Sequence, residues 1–197
     1  MKKLFLLAMI PFALAVQAKD ATPTKIRTGV SNEYQNMQAR YRIAPSTTKD
    51  TSIVTITLSA PTKGRTARKD IAKVKYYEGD EYMKINTLKL LPNKGLSGTK
   101  AIIYMGHDPD VPELSFDEYY WAWTGKKLTA ISRTSSSSLP GERKGMQRLI
   151  FPTDPGGKPN MIIKQDIDID LTQSPPKEIS RKSVQHRWRG HSIDKQK

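Results

Sequence analysis

The sequence predicts a mainly β protein, an antiparallel and strongly curved sheet or an incomplete β-barrel, with a short N-terminal helix and a disordered basic C-terminal tail. Three observations lead to this prediction. About seven segments are rich in β-branched and aromatic residues and alternate between apolar and polar positions, as half-buried strands do. Gly and Pro turns separate these segments, and at most one stretch has helical periodicity. Beyond Thr172 the alternation ends, and Pro175-Pro176 opens a segment rich in lysine and arginine.

The beginning of the chain has the pattern of a secretory signal peptide. Lys2 and Lys3 form a positive start, residues 4–16 are apolar, and Val16-Gln17-Ala18 fits the small-residue cleavage site. We therefore expect a secreted, periplasmic protein that is cleaved near Ala18. The expected organisation is a signal peptide at 1–18, a single β-rich domain at 19–172 and a basic flexible tail at 173–197.

The composition limits the partners of the protein. The chain has a formal net charge of +14 and no cysteine. An excess of positive charge favours anionic partners. Such partners include nucleic acid, peptidoglycan-linked polymers, lipid headgroups and acidic proteins. For an exported chain without a nucleic-acid-binding motif, we expect envelope polymers or lipids and no nucleic acid. Because there are no disulfides, burial of side chains must stabilise the fold.

The N-terminal half predicts one short helix and four strands. Residues 31–43 fit either kind of element. Tyr34, Met37 and Tyr41 share a helical face, but the residues from Met37 to Ile43 also alternate between apolar and polar. We favour the helix. The strands are predicted at 53–59, 71–77, 82–91 and 99–105, and the turn Glu78-Gly79-Asp80 joins the second to the third.

The clearest two-strand unit is the hairpin at 118–133. Tyr119, Trp121 and Trp123 lie on one face of its first strand, and Gly125-Lys126 supplies the turn. Each tryptophan buries about 150–250 Å², so the pair requires either a packed core or an apolar ligand beneath it. The remaining elements are predicted as a serine-rich break at 135–138, strands at 145–151 and 161–171, and a turn at 154–157 between those strands.

The residue patterns do not predict catalysis, a metal site or a cofactor. The run from His107 to Glu113 holds an imidazole and three carboxylates, but their spacing matches no zinc template. Asp166, Asp168 and Asp170 lie on one strand face; they could hold calcium only if a loop completed the oxygen shell, and a charged outer face is the favoured interpretation. The serines at 135–138 lie in no nucleophile elbow. We therefore expect a protein that is not an enzyme.

The central part of the chain also resembles a known family. The features that carry the resemblance are the alternating strand at 53–58, the connection from Gly64 to Arg68, the strand that follows Gly79-Asp80 and ends at Pro92, the passage from Lys94 to Ala101, and the aromatic strand Tyr120-Trp121-Ala122-Trp123 followed by Leu128, Ile131, Ser132, Arg133, Ser135 and Ser136. Through these features residues 51–142 are similar to the bacterial outer-membrane lipoprotein-sorting (LolA-like) family.

This resemblance implies an incompletely closed β-barrel, with a helix near its mouth, that holds an acyl chain or a similar apolar ligand. The function that the resemblance implies is that of a periplasmic, non-enzymatic carrier or binder of a lipid or acylated ligand. Its basic surface would then meet an anionic membrane surface or an acidic envelope protein. The candidate ligand-binding residues are Ile85, Ile103, Tyr104, Trp121, Trp123 and Leu128. Two alternatives stay open: a protein-binding module of the inhibitor or immunity type, and a binder of envelope polymers that uses the basic tail.

Overall fold

The computed structural model describes residues 26–45, 51–62, 67–79, 87–106, 115–139 and 143–194. These residues form β1 (Arg27–Tyr34), β2 (Met37–Pro45), β3 (Thr51–Pro61), β4 (Arg68–Gly79), β5 (Thr87–Leu91), β6 (Ala101–Gly106), β7 (Ser115–Trp123), β8 (Leu128–Leu139), β9 (Arg143–Ile150), β10 (Met161–Asp170), β11 (Lys177–Trp188) and β12 (Ile193–Asp194). The predicted mainly β fold is confirmed. In the described part of the chain there is no helix of the length and apolarity that crossing a membrane requires. The predicted signal peptide at 1–18 lies outside the described residues.

The strands form two antiparallel sheets, and each strand pairs with its neighbours in sequence. The four-stranded sheet has the order β1-β2-β3-β4, and the eight-stranded sheet has the order β12-β11-β10-β9-β8-β7-β6-β5. Short loops permit this arrangement, since antiparallel neighbours need only a tight connection. The alternating segments at 53–59, 71–77, 99–105, 118–133, 145–151 and 161–171 correspond to β3, β4, β6, the β7–β8 hairpin, β9 and β10.

Two sequence predictions about irregular or helical segments are wrong. The serine run at 135–138 is no break, because it continues β8 and pairs with β7 and β9. The segment at 31–43 forms no helix, because it is the β1–β2 hairpin. Gln35 and Asn36 form the turn of that hairpin with φ angles of 49° and 61°, and a two-residue hairpin loop favours this left-handed backbone. After the turn, every second residue from Met37 to Ile43 is buried, as in a strand with one face toward the core and not as in a helix.

A first core cluster fills the space between the two sheets. The four-stranded sheet contributes inward side chains from β2 and β3, and the eight-stranded sheet contributes them from β5, β6 and β7. The buried members are Met37, Ala39, Tyr41, Ile43, Val54, Ile56, Leu58, Leu88, Leu90, Ala101, Ile103, Met105, Tyr119, Trp121 and Trp123. Removal of this apolar surface from water is the main force that holds the sheets together.

A second core cluster covers the opposite face of the eight-stranded sheet. Neighbouring residues of a strand point to opposite faces, so Ile103 belongs to the first cluster and Ile102 to the second. Side chains from two loops and from the C-terminal strands close this cluster over the sheet. Its buried members are Leu96, Ile102, Ala122, Ile131, Phe151, Ile162 and Trp188.

Asn32 connects the two sheets where their edge strands β1 and β5 lie side by side. The pairing of β1 is irregular between Val30 and Glu33, and from this bulge the Asn32 side chain reaches β5. Its Nδ2 donates to the carbonyl oxygen of Leu90 at 3.0 Å, and its Oδ1 accepts from the amide nitrogen of Leu90 at 2.8 Å. The side-chain amide thus pairs with β5 as a peptide group of an adjacent strand would. At the other side, β4 and β8 also lie close together.

The prediction of a disordered tail is wrong for residues 177–194. β11 pairs with β10 from Met161–Arg187 to Asp170–Lys177, and β12 pairs with the end of β11. Trp188 is buried in the second core cluster, and its Nε1 donates to the carbonyl oxygen of Ser97 at 2.8 Å. The high charge of the segment suggested disorder, but a long register with β10 and one buried indole hold it on the domain.

Candidate functional site

The structure separates the predicted ligand-binding residues. Ile103, Trp121 and Trp123 are buried in the first core cluster, and Leu128 packs against that cluster while partly exposed. Tyr104 lies on the opposite face of the eight-stranded sheet, where it contacts Tyr120. Ile85 lies outside the described residues. Four of the predicted residues therefore share the apolar space between the sheets.

The aromatic side chains of β7 form a row along this space. The rings of Tyr119 and Trp121 stack with centroids 5.9 Å apart and planes inclined by 14°. The Arg133 guanidinium carbon lies 5.5 Å from the centre of the Tyr119 ring, a distance at which a cation is attracted to an aromatic face. Arg133 is held there by Asp117, 2.6 Å away. A cation thus closes one end of the aromatic row at the surface.

The opposite face of β6, β7 and β8 carries a cluster of hydroxyl groups around one carboxylate. Glu118 accepts hydrogen bonds from the Tyr104 and Tyr120 phenols at 3.0 and 3.1 Å and from the Thr134 hydroxyl at 3.0 Å. The two phenol rings lie 5.2 Å apart. Gly106 leaves the space for one of them, since a Cβ there would lie 2.5 Å from the Tyr104 oxygen.

In this cluster three hydroxyl donors surround one acceptor, the Glu118 carboxylate. Burial, together with the negative charge of Glu118, raises the pKa of Tyr120 far above its ordinary value. The phenol therefore keeps its proton and donates it to the carboxylate in a hydrogen bond. The hydrogen bonds to Glu118 from Tyr104 and Thr134 link β7 to β6 and β8 on this face of the sheet.

A cavity of about 210 Å³, with polar and apolar lining residues, opens between β8, β9 and β10. Gln147 lines it: its Oε1 accepts from the Ser135 amide and hydroxyl at 3.2 and 3.3 Å, and its Nε2 donates to Asp166 at 2.7 Å. The cavity is lined further by Ser137 and Asp168. The serine run thus supplies polar groups from within a strand.

The three aspartates of β10 do not form a joint cation site. Asp166 accepts from Gln147, Asp168 accepts from Ser180, and Asp170 accepts from Thr172 and Gln173. The hydrogen bonds from Thr172 hold the pKa of Asp170 below its ordinary value. Among the described residues, no three histidine, aspartate or glutamate side chains are grouped as metal ligands. The run from His107 to Glu113 begins just after β6 and lies outside the described residues.

Sequence reasoning missed the Glu118 cluster and found the tryptophans. The period of two that placed Trp121 and Trp123 on one face also places Glu118 and Tyr120 on the other. Tyr104 and Thr134 are brought to that second face by the register of β6 and β8 with β7. The strand pairing of the predicted central hairpin was the signal that could have located the cluster.

Comparisons with known proteins give no relative for this chain. No protein-family model matches it, and neither a curated protein nor a solved structure matches it. The functional argument therefore depends on the geometry described above.

Proposed function

We propose that the protein is a periplasmic, non-enzymatic carrier or binder of a lipid or acyl chain, which it holds between the two sheets of a strongly curved, incompletely closed β-barrel. The support comes from the apolar space that contains Ile103, Trp121 and Trp123. Side chains of this kind, with few polar groups among them, are typical of sites for hydrocarbon ligands. The positive charge of the chain suits a ligand with an anionic head.

The observation that carries the proposal is the unequal closure of the two sides of this space. At the first side, Asn32 hydrogen-bonds β1 to β5. At the second side β4 and β8 lie close together. Within the described residues no backbone ladder joins the two sheets at either side, so the Asn32 hydrogen bonds distinguish the first side from the second. We call this second side the β4–β8 seam. It can open without breaking a strand pair.

Both strands of the seam contribute apolar side chains to the margin of the first core cluster. Val74 and Ala72 of β4 and Leu128 of β8 are partly buried and pack against the first core cluster. A hydrocarbon chain that entered here would meet apolar side chains along its path to Trp121 and Trp123. The ligand would then replace contacts between side chains, at little cost in unsatisfied polar groups.

The three tryptophans of the chain permit a direct test. Trp121 and Trp123 face the proposed site, whereas Trp188 belongs to the second core cluster on the other side of the sheet. In Trp188→Phe, a brominated fatty acid added to delipidated protein should quench the remaining tryptophan fluorescence. The quenching requires close contact between bromine and indole, so its measurement locates the acyl chain.

The matched control is the double variant Trp121→Phe with Trp123→Phe, which retains only Trp188. Its fluorescence should be unaffected by the same fatty acid, provided that circular dichroism shows a folded protein. Equal quenching in the two proteins would place the ligand elsewhere. Absence of quenching in Trp188→Phe would contradict the proposal.

A second candidate function, a protein-binding module, is favoured by the exposed edge of β11. Among the described residues, β11 pairs on its outer side only with the short β12, through Arg187 and Trp188. Ile179 and Val184 on this strand are 50% and 46% exposed. Free strand edges pair readily with other chains.

The edge is tested by the double variant Ile179→Lys with Val184→Lys. Added lysines repel an incoming strand, and exposed positions tolerate them with little change in stability. If a protein partner isolated from periplasmic extract binds this edge, the variant should lose it, while the fluorescence quenching above should be unchanged. A partner that binds the variant and the parent equally would exclude this edge as its site.

A further inference from the structure

The outward face of the four-stranded sheet gathers cations that are far apart in sequence. Strand register places Arg42 opposite Thr55 and Thr55 opposite Lys75. In the adjacent row, Arg40 lies opposite Thr57, and Thr57 lies opposite Lys73. Cross-strand neighbours on one face have Cβ atoms roughly 4.5–5.5 Å apart. We call these two rows of Arg, Thr and Lys the basic face.

A groove of about 400 Å³ runs along the basic face. Its lining includes the cationic side chains of Arg40, Arg42 and Lys73 and the threonines Thr28, Thr55 and Thr57. Arginine and lysine donate to phosphate oxygens, and threonine hydroxyls can add neutral hydrogen bonds. The groove therefore offers several convergent donors to an anion.

The ion pairs described in this sheet lie at one end of the basic face. Arg40 pairs with Asp70 at 2.8 Å, and Arg68 pairs with Glu33 at 2.5 Å near the β1–β2 turn. Within the described ranges, Arg42, Lys73 and Lys75 have no carboxylate at ion-pair distance. The positive charge is consequently concentrated at the end away from that turn.

Exposed aliphatic side chains flank these cations. Ile26 and Val30 are 52% and 56% exposed, and Ile71 is 37% exposed. Val30 is the register partner of Arg40, and Ile71 precedes Lys73 by two positions on β4. Aliphatic groups at the margin of a cationic face are typical of proteins that rest on membranes, where they enter the boundary between headgroups and acyl chains.

We propose that the basic face docks the protein on a membrane surface that contains anionic phospholipids. Arg42, Lys73 and Lys75 meet the lipid phosphates, and Val30 and Ile26 enter the headgroup layer. The charge complementarity favours an anionic surface, and the flanking aliphatic groups favour a lipid surface over an acidic protein. The basic face lies on the side of the sheet opposite to the first core cluster, so this proposal and the acyl-chain proposal can fail independently.

Co-sedimentation with vesicles tests the cations. The full chain should bind vesicles of phosphatidylcholine with phosphatidylglycerol and should not bind pure phosphatidylcholine. The triple variant Arg42→Ala, Lys73→Ala, Lys75→Ala should bind the anionic vesicles about 100-fold more weakly, from the usual contribution of each basic residue near an anionic surface.

The control removes the same charge from the exposed β11. The triple variant Lys177→Ala, Lys182→Ala, Arg187→Ala should retain most of the vesicle binding. If it loses as much binding as the first variant, then net charge or the C-terminal strand is responsible, and the proposal is overturned. Unchanged binding of the first variant also overturns it.

A fluorescent label tests insertion of the aliphatic groups. Since the chain has no cysteine, Val30→Cys carries a unique site for an environment-sensitive dye, and Val184→Cys on β11 is the matched control. Anionic vesicles should shift the emission of the Val30 label to the blue and leave the Val184 label unchanged. A shift of the Val30 label by inorganic phosphate alone would indicate a free anion site, and no shift with vesicles would exclude docking; either result overturns the proposal.

Discussion

At the scale of single residues, the Asn32 side chain makes two hydrogen bonds with β5 that a neighbouring strand would otherwise make. The pairing of β1 with β2 is irregular at this position, and the Asn32 side chain supplies the Leu90 peptide groups of β5 with a donor and an acceptor. Buried or partly buried peptide groups that lose their partners destabilise a protein. Asn32 therefore determines how the two sheets meet on this side of the first core cluster.

We expect Asn32→Ala to lower the free energy of unfolding by about 1–3 kcal/mol, because two hydrogen bonds to Leu90 are lost. Urea denaturation followed by circular dichroism measures the change. Gln38→Ala is the control, since the Gln38 amide makes only a long bond of 3.4 Å to the Ser31 carbonyl. A loss of similar size in the control would show that Asn32 has no special role.

At the scale of elements, β11 shows little alternation of apolar and polar residues, but the buried Trp188 attaches its end to the second core cluster. Most of its residues are exposed, and the strand takes its shape from β10. Trp188 is buried at its end, and the Ser97 carbonyl accepts its indole proton. Near this contact, Gly98 and Gly190 approach closely: a Cβ on Gly98 would lie 3.1 Å from the Gly190 carbonyl oxygen. The two glycines permit the C-terminal segment to lie against the loop after β5.

Trp188→Ala should destabilise the protein by about 3–5 kcal/mol, the usual cost of removing a buried aromatic side chain. Trp188→Phe keeps an aromatic ring in the second core cluster and should cost less. Hydrogen exchange should show that the loss of protection in Trp188→Ala is greatest in β11 and β12. Equal stability of the alanine variant and the parent would contradict the attachment described here.

At the scale of the whole molecule, the sequence predicted what depends on local pattern. Alternation located most of the strands, and the tryptophans of β7 were assigned to one face. The sequence did not predict the division into two sheets, because the division depends on contacts between residues that are distant in sequence, such as Asn32 and Leu90. The basic face was missed for the same reason, since Arg42, Lys73 and Lys75 converge only through the register of three strands. The ordered strand β11 was missed because its high charge suggested disorder and its alternation of apolar and polar residues is weak.

The consecutive order of the strands also determines how the eight-stranded sheet responds to force. Every backbone ladder in it joins strands that follow one another in the chain. A pull on the C-terminus therefore loads the hydrogen bonds one rung after another, like a zipper, and not all at once as in shear. β12 separates from β11 first. The Trp188 indole must then leave the second core cluster before β11 and β10 can separate in turn.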